Sequence, residues 1–327
     1  MGVTVALIVL GLAILLVSGD LLVRGAVALA RALNVPALIV SLTIVAFGTS
    51  APELVVTVQA VLSGNSGIAL GNIVGSNIAN VLLVLGLPAV IYPISAHVPG
   101  LPRHAAVMTV ATLAFAAVAY SGYGASDGGA GVINFPIGAV FFTVIVAYVV
   151  YMGLRARGSD DPMLDDVDEY ADGGRLNVLT LIFLVAGLVG LPLGANLLVT
   201  YGGGLAANLG VRDELIGLTV IAFGTSLPEL ATVVAAAVHK KSDVAIGGVV
   251  GSNIFNLLAV GGAAGLAGGA AFDEKALTLD LPVMLAATAA LLAFILLRRD
   301  IGRIAGAIFF IAYCLFIAVL AQSSGVM

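Results

Sequence analysis

Residues 41–54 read SLTIVAFGTSAPEL, and residues 217–230 read GLTVIAFGTSLPEL. The two stretches lie 176 positions apart, with Pro228 falling on Pro52 and Glu229 on Glu53. A second pair keeps that offset: GNIVGSNIAN at 71–80 returns as GGVVGSNIFN at 247–256. Apolar composition alone does not write Gly-Thr-Ser-x-Pro-Glu-Leu twice. Two separate blocks at one offset therefore mark duplication of a whole unit.

Outward from these blocks the chain is a series of apolar runs. Ten spans are predicted, at 3–22, 37–62, 67–92, 104–121, 131–153, 177–200, 212–238, 242–268, 278–297 and 302–322, each near the roughly 20 residues that cross a bilayer. The 327 residues are 61% hydrophobic and 9% charged, too little charge to cover a soluble domain. The expected fold is an all-α integral membrane protein of ten transmembrane helices. They form two five-helix repeats, 1–153 and 177–327, joined by an acidic linker at 154–176, with the duplicated blocks at about 37–92 and 212–268. An odd number of spans per repeat sets the copies in opposite orientations, the inverted topology of many secondary transporters. The run 2–16 has no basic segment ahead of it and reads as the first span, not a secretory signal.

Eleven of the thirteen basic residues fall in loops after odd-numbered spans; Arg212 and Lys275 alone follow even ones. The positive-inside rule then puts both termini outside the cell membrane and the linker in the cytoplasm. With a net charge of -5 and no basic patch, nucleic acid is not an expected partner. The linker's acidic residues match no calcium-loop spacing and read as solvated. Cys314 is alone, so no disulfide framework exists, and it reads as a packing residue. His97, His104 and His239 fall in predicted loops and form no ligand cluster. No strand–glycine–helix phosphate motif suggests an ATP-driven pump.

Glu53 and Glu229 sit midway along their spans, whereas Asp20, Asp213, Glu214, Asp243, Asp280 and Asp300 fall near ends or in loops. An ionised carboxylate at depth costs several kcal/mol unless something positive compensates it. No Lys or Arg lies at that depth, so the compensating charge is a proton or a bound cation. Pro52 and Pro228 lack an amide hydrogen and clash with the carbonyls at Gly48 and Gly224. Carbonyls at 46–49 and 222–225 are thereby partly released, which a membrane tolerates only where they are buried or line a cavity. With the hydroxyls of Thr49, Ser50, Thr225 and Ser226 they make an all-oxygen shell, suited to hard cations such as calcium and sodium. The i, i+4 pairs Ser76/Asn80 and Ser252/Asn256 each share a helix face and flank this centre. Asn77 and Asn253, off that face, read as helix packing.

These paired motifs resemble the two alpha repeats of the calcium/cation antiporter superfamily, most closely its prokaryotic sodium/calcium exchangers. The resemblance spans essentially the whole chain. It implies a secondary active antiporter, not an enzyme, acting as a monomeric transport unit without a cofactor and exchanging calcium for sodium by alternating access. A proton/calcium antiporter is the alternative, and a passive cation channel a more distant one. Glu53 and Glu229 would then be calcium ligands, joined by the carbonyls of Thr49 and Thr225. Ser50, Ser226, Ala46, Ala222, Ser76 and Ser252 would line flanking sodium sites, with Asn80 and Asn256 beside the centre. Spans 1 and 6 would slide across the core formed by spans 2, 3, 7 and 8. One departure is Asn256, where exchangers of this type often carry aspartate; asparagine in both halves also resembles the proton/calcium branch.

Overall fold

A computed structural model describes residues 2–121, 131–156, 177–208 and 224–323. Most of the linker and the first half of the seventh predicted span, with Arg212, Asp213, Glu214 and Ala222, lie outside the described residues. The helices are α1 (Gly2–Leu33), α2 (Ala37–Thr49), α3 (Ala51–Leu62), α4 (Ser66–Ile91), α5 (Leu101–Tyr120), α6 (Phe135–Ala156), α7 (Val178–Asn208), α8 (Leu227–Val238), α9 (Ser242–Ala267), α10 (Ala276–Leu296) and α11 (Arg303–Ser323). Two short strands, β1 (Val132–Ile133) and β2 (Ala270–Ala271), pair antiparallel with Val132 opposite Ala271.

Eight of these helices are long and apolar enough to cross a membrane, and α2 with α3 makes a ninth span bent by 43°. The chain is thus a multi-pass helical membrane protein. Of the expected span at 212–238, only the part carrying α8 is described.

Helices α4 and α9, which carry the Gly-Ser-Asn-Ile blocks, occupy the centre. The apolar stretch of α9 is buried throughout and that of α4 by 83%, against 28% for α1. Small residues explain the placement, since membrane helices associate by close packing and polar contacts rather than by hydrophobic expulsion. A Cβ added to Gly251 would lie 2.7 Å from the Ala46 Cβ and 2.9 Å from the Leu42 Cα, so α9 and α2 touch nearly backbone to backbone. Helices α1 and α7 run antiparallel alongside this core, joined by a second small-residue seam. Gly11 meets Gly194, Ser18 meets Gly190, and Gly25 meets Leu184. Their outer faces present Val3, Val9, Leu12, Val185 and Val189, apolar surface matched to lipid tails.

The duplication extends to the backbone. Ser50 has φ/ψ of -84°/3° and Ser226 of -86°/1°; Asn65 has -99°/71° and Lys241 -97°/71°. A π-helical turn starts at Asn80 in one copy and at Asn256 in the other. Such wide turns occur mostly as isolated insertions in α-helices, frequently at functional sites.

Several expectations are revised. Helix α1 continues to Leu33, which puts Asp20 inside a helix instead of at its end. Its carboxylate is met by Arg24 at 2.8 Å, one turn on, and by His239 from the end of α8. The fifth span begins at Phe135, because residues 132–133 are drawn into the strand pair. His104 is in the first turn of α5, not in a loop, and its Nδ1 lies 2.7 Å from the Tyr148 hydroxyl of α6. Cys314 is exposed on α11 and does not pack in the bundle.

Candidate ion-binding site

Both glutamates lie in the first turn of a helix that starts again after a break. α2 stops at Thr49, Ser50 leaves helical geometry, and α3 resumes at Ala51 with Pro52 in its first turn. Proline fits there because the first-turn amides of a helix have no carbonyl to bond. α8 restarts the same way after Ser226, with Pro228 and Glu229 in its first turn. Each carboxylate therefore sits at the positive end of a helix dipole. The glycines of the motif leave room for α7. A Cβ on Gly48 would strike Leu188 Cδ2 at 2.0 Å, and one on Gly224 would meet Val199 Cγ2 at 2.6 Å.

Glu53 is 1% exposed and Glu229 3%. Thr225 of the second repeat lies beside Glu53, while Thr49 and Ser50 of the first lie beside Glu229. Yet no oxygen of either carboxylate completes a hydrogen bond of standard geometry among the described residues. The same holds for the hydroxyls of Ser50 and Ser226, the Oδ1 of Asn80 and both amide atoms of Asn256. Buried polar atoms in native proteins are nearly always bonded. Unbonded buried oxygens on both repeats, two carboxylates among them, leave acceptor capacity that a hard cation or a proton can satisfy.

Of the remaining expected residues, Thr49 and Ser252 meet side chain to side chain, Oγ1 to Oγ at 3.3 Å, joining the first break to α9. Ser76 is 2% exposed on α4. The Ala46 carbonyl accepts the Ser50 amide at 3.0 Å and the Thr49 hydroxyl at 3.3 Å, so it is bonded within the protein in this conformation. Ala222 lies outside the described residues. Among the described residues no group of three His, Cys, Asp or Glu side chains forms a metal cluster; the acidic groups of the candidate site are two carboxyls, Glu53 and Glu229.

Three polar residues here escaped the sequence reading. Asn253 accepts the Asn80 amide at 3.1 Å, although the i, i+4 pattern puts it off the Ser252/Asn256 face. Asn72 donates to the Glu53 carbonyl at 3.0 Å and to Thr57 Oγ1 at 2.9 Å. Asn253 was identical in both blocks, which was a usable signal. Asn72 and Thr57 were not, since their counterparts are Gly248 and Val233.

A multi-pass bundle in which helices packed on the central pair break at two buried carboxylates, with hydroxyl and amide oxygens nearby, is of the class of membrane cation transporters. The chain belongs to the sodium/calcium exchanger protein family, whose model matches residues 3–154 and 179–322. CaxA of Alkalimonas amylolytica is 38% identical over 311 residues, 94% of this chain and 95% of that one. The sodium/calcium exchanger MaX1 of Methanosarcina acetivorans is 33% identical over 344 residues, covering 96% and 97%. Among solved structures, the sodium-calcium exchanger NCX_Mj matches with a TM-score of 0.80 at 29% identity, over 97% of this chain and 98% of that one.

Proposed function

We propose that this protein is a secondary active antiporter exchanging calcium for sodium by alternating access at a site between its two repeats. The observation that carries the reading is the set of unbonded oxygens around Glu53 and Glu229. Two carboxylates balance one calcium ion, and the neutral oxygens complete the six to eight ligands that calcium takes. In this reading Glu53, Glu229 and the carbonyls of Thr49 and Thr225 hold calcium. Ser50, Ser226, Ala46, Ala222, Ser76 and Ser252 flank it as sodium ligands, with Asn80 and Asn256 beside the centre. The architecture is ten spans in two inverted repeats, with both termini outside, the linker cytoplasmic and one chain as the transport unit. The α1–α7 pair slides across the core, exposing the site to one side at a time; its long seam of small residues supports motion as a unit.

Proton-coupled exchange is the second reading, favoured by Asn256 standing where a third carboxylate would make room for additional sodium. Calcium-45 uptake into proteoliposomes, driven in turn by outward sodium and outward proton gradients, separates the two. Sodium-driven uptake supports the first reading, proton-driven uptake moves the protein to the second, and uptake without any gradient would sink antiport altogether.

A further inference from the structure

The duplicated blocks allow the chain to be compared with itself, and one buried polar residue has no counterpart. Asn72, on α4 one turn before Ser76, is 4% exposed and uses both ends of its amide. Its Nδ2 donates to the Glu53 carbonyl at 3.0 Å and to Thr57 Oγ1 at 2.9 Å, while its Oδ1 accepts the Thr225 hydroxyl at 3.5 Å. The amide has only one workable orientation. Reversed, Oδ1 would face the Glu53 carbonyl, an acceptor with no proton to give. A single side chain thus joins α3, α4 and the turn that leads into α8.

At the matching positions of the second repeat, Asn72 becomes Gly248 and Thr57 becomes Val233. Both polar partners are lost together. The space over Gly248 is approached instead by Ser41 of α2, whose Oγ would lie 3.4 Å from an added Cβ and donates to the Val244 carbonyl at 2.7 Å. The segment bearing Glu53 is therefore fastened by an inter-helix side-chain network; among the described residues the segment bearing Glu229 shows instead a local bond, from the Thr232 hydroxyl to the Pro228 carbonyl at 2.8 Å.

We propose that Asn72 is a positioning residue that sets the cation affinity of the Glu53 half of the site, holding the Glu53 backbone and the Thr225 hydroxyl in register. It makes the two halves unequal in binding strength. This rests on the antiport reading for its transport readout, but calcium binding tests it separately.

Calcium is titrated into the purified full chain by thermal shift, and calcium-45 uptake is followed in proteoliposomes. Asn72→Leu keeps the branched shape but removes the hydrogen bonds, so the calcium Kd and the uptake KM rise about tenfold, as expected for one or two lost buried hydrogen bonds. The maximal uptake rate stays within about twofold, because the site's ligands are intact. On the Asn72→Leu background Thr225→Val adds little, while Thr49→Val adds its full effect, since residues in one network are non-additive. Thr57→Val, a milder change that keeps the Glu53 and Thr225 contacts, shifts Kd in the same direction by less and serves if Asn72→Leu does not fold. An unchanged Kd in Asn72→Leu, or in Thr57→Val where only that folds, overturns the proposal, as does a fall in maximal rate at constant KM. A wild-type protein that binds calcium but does not move it sinks the antiport reading alone, and Asn72 is then judged on Kd.

Discussion

The amide of Asn80 donates to the Oδ1 of Asn253 across 3.1 Å, so the two Gly-Ser-Asn-Ile blocks meet side chain to side chain in the middle of the bundle. The pair related by the duplication, Asn256 and Asn77, is not joined in this way. Asn77 instead turns its amide back to the Ile73 carbonyl of its own helix at 2.7 Å, and the Asn256 amide has no partner among the described residues. One half of the centre is closed by a cross-repeat bond and the other is open. The Asn80–Asn253 bond also leaves the Asn80 Oδ1 unbonded, available to a cation.

Neutralising either central carboxylate separates transport from stability. Glu53→Gln and Glu229→Gln each abolish calcium-45 uptake. Each leaves the unfolding temperature of the ion-free protein within a few degrees of the wild type, because without a cation a proton already compensates the buried carboxyl. Calcium at a hundred times its Kd stabilises the wild type by about 2.7 kcal/mol and leaves the double variant unmoved. A calcium-induced shift retained in the double variant would place the ion elsewhere.

Charge balance makes a prediction about current. Two carboxylates neutralise one calcium or two monovalent ions, so exchange is closer to electroneutral than three sodium for one calcium. Reversal potentials in proteoliposomes measure the ratio directly, and a value fitting three-for-one refutes this. Asn256→Asp supplies a third carboxylate beside the centre and increases the charge moved per calcium.

The contact between α1 and α8 tests the proposed sliding of α1. A Cβ at Gly19 would lie 2.7 Å from the Ala231 carbonyl oxygen and 2.9 Å from its carbon, where backbone cannot give way. Gly19→Val slows uptake at least about tenfold, the scale of a 1–3 kcal/mol overpacking cost falling on the moving contact, while calcium-induced thermal stabilisation persists. Unchanged uptake would mean that this contact does not move during transport.

Outside the membrane, Asp300 ties the loop after α10 to the loop after α4. The Ser95 hydroxyl at 2.8 Å and the His97 ring at 3.0 Å hold its carboxyl below the usual aspartate range, beside the antiparallel bridge between Ile94 and Ile301. A carboxyl with a depressed folded-state pKa contributes stability above its unfolded pKa and loses it as pH falls through the lowered value. The wild type is therefore more stable than Asp300→Ala at neutral pH, and the gap closes as the medium is acidified through that lowered pKa. Both side chains are about half exposed, so the gap is under about 1 kcal/mol. Thermal midpoints of the two proteins across pH measure it, and a gap that widens on acidification contradicts the assignment.

Much of this molecule was legible in one dimension. The offset of 176, the apolar runs and the depth of Glu53 and Glu229 are properties of residue order, and the cost of a carboxylate in lipid is the same whatever packs around it. Pro52 placed the break correctly, because a missing amide hydrogen acts on its own helix. Contacts between distant residues were beyond that reach. Asn253 was assigned to packing by reasoning that gives a helix one functional face, but α9 is buried on all sides, so its other faces also meet the partner repeat. Asn72 was hidden because repeat identity marks what the halves share, and its role comes from what they do not. The chain order alone thus determined a duplicated membrane bundle with two acidic residues at its centre. Only the tertiary structure decided which oxygens are bonded and which stand open, because those bonds cross 153 to 203 residues of chain and depend on how closely glycines let the helices approach.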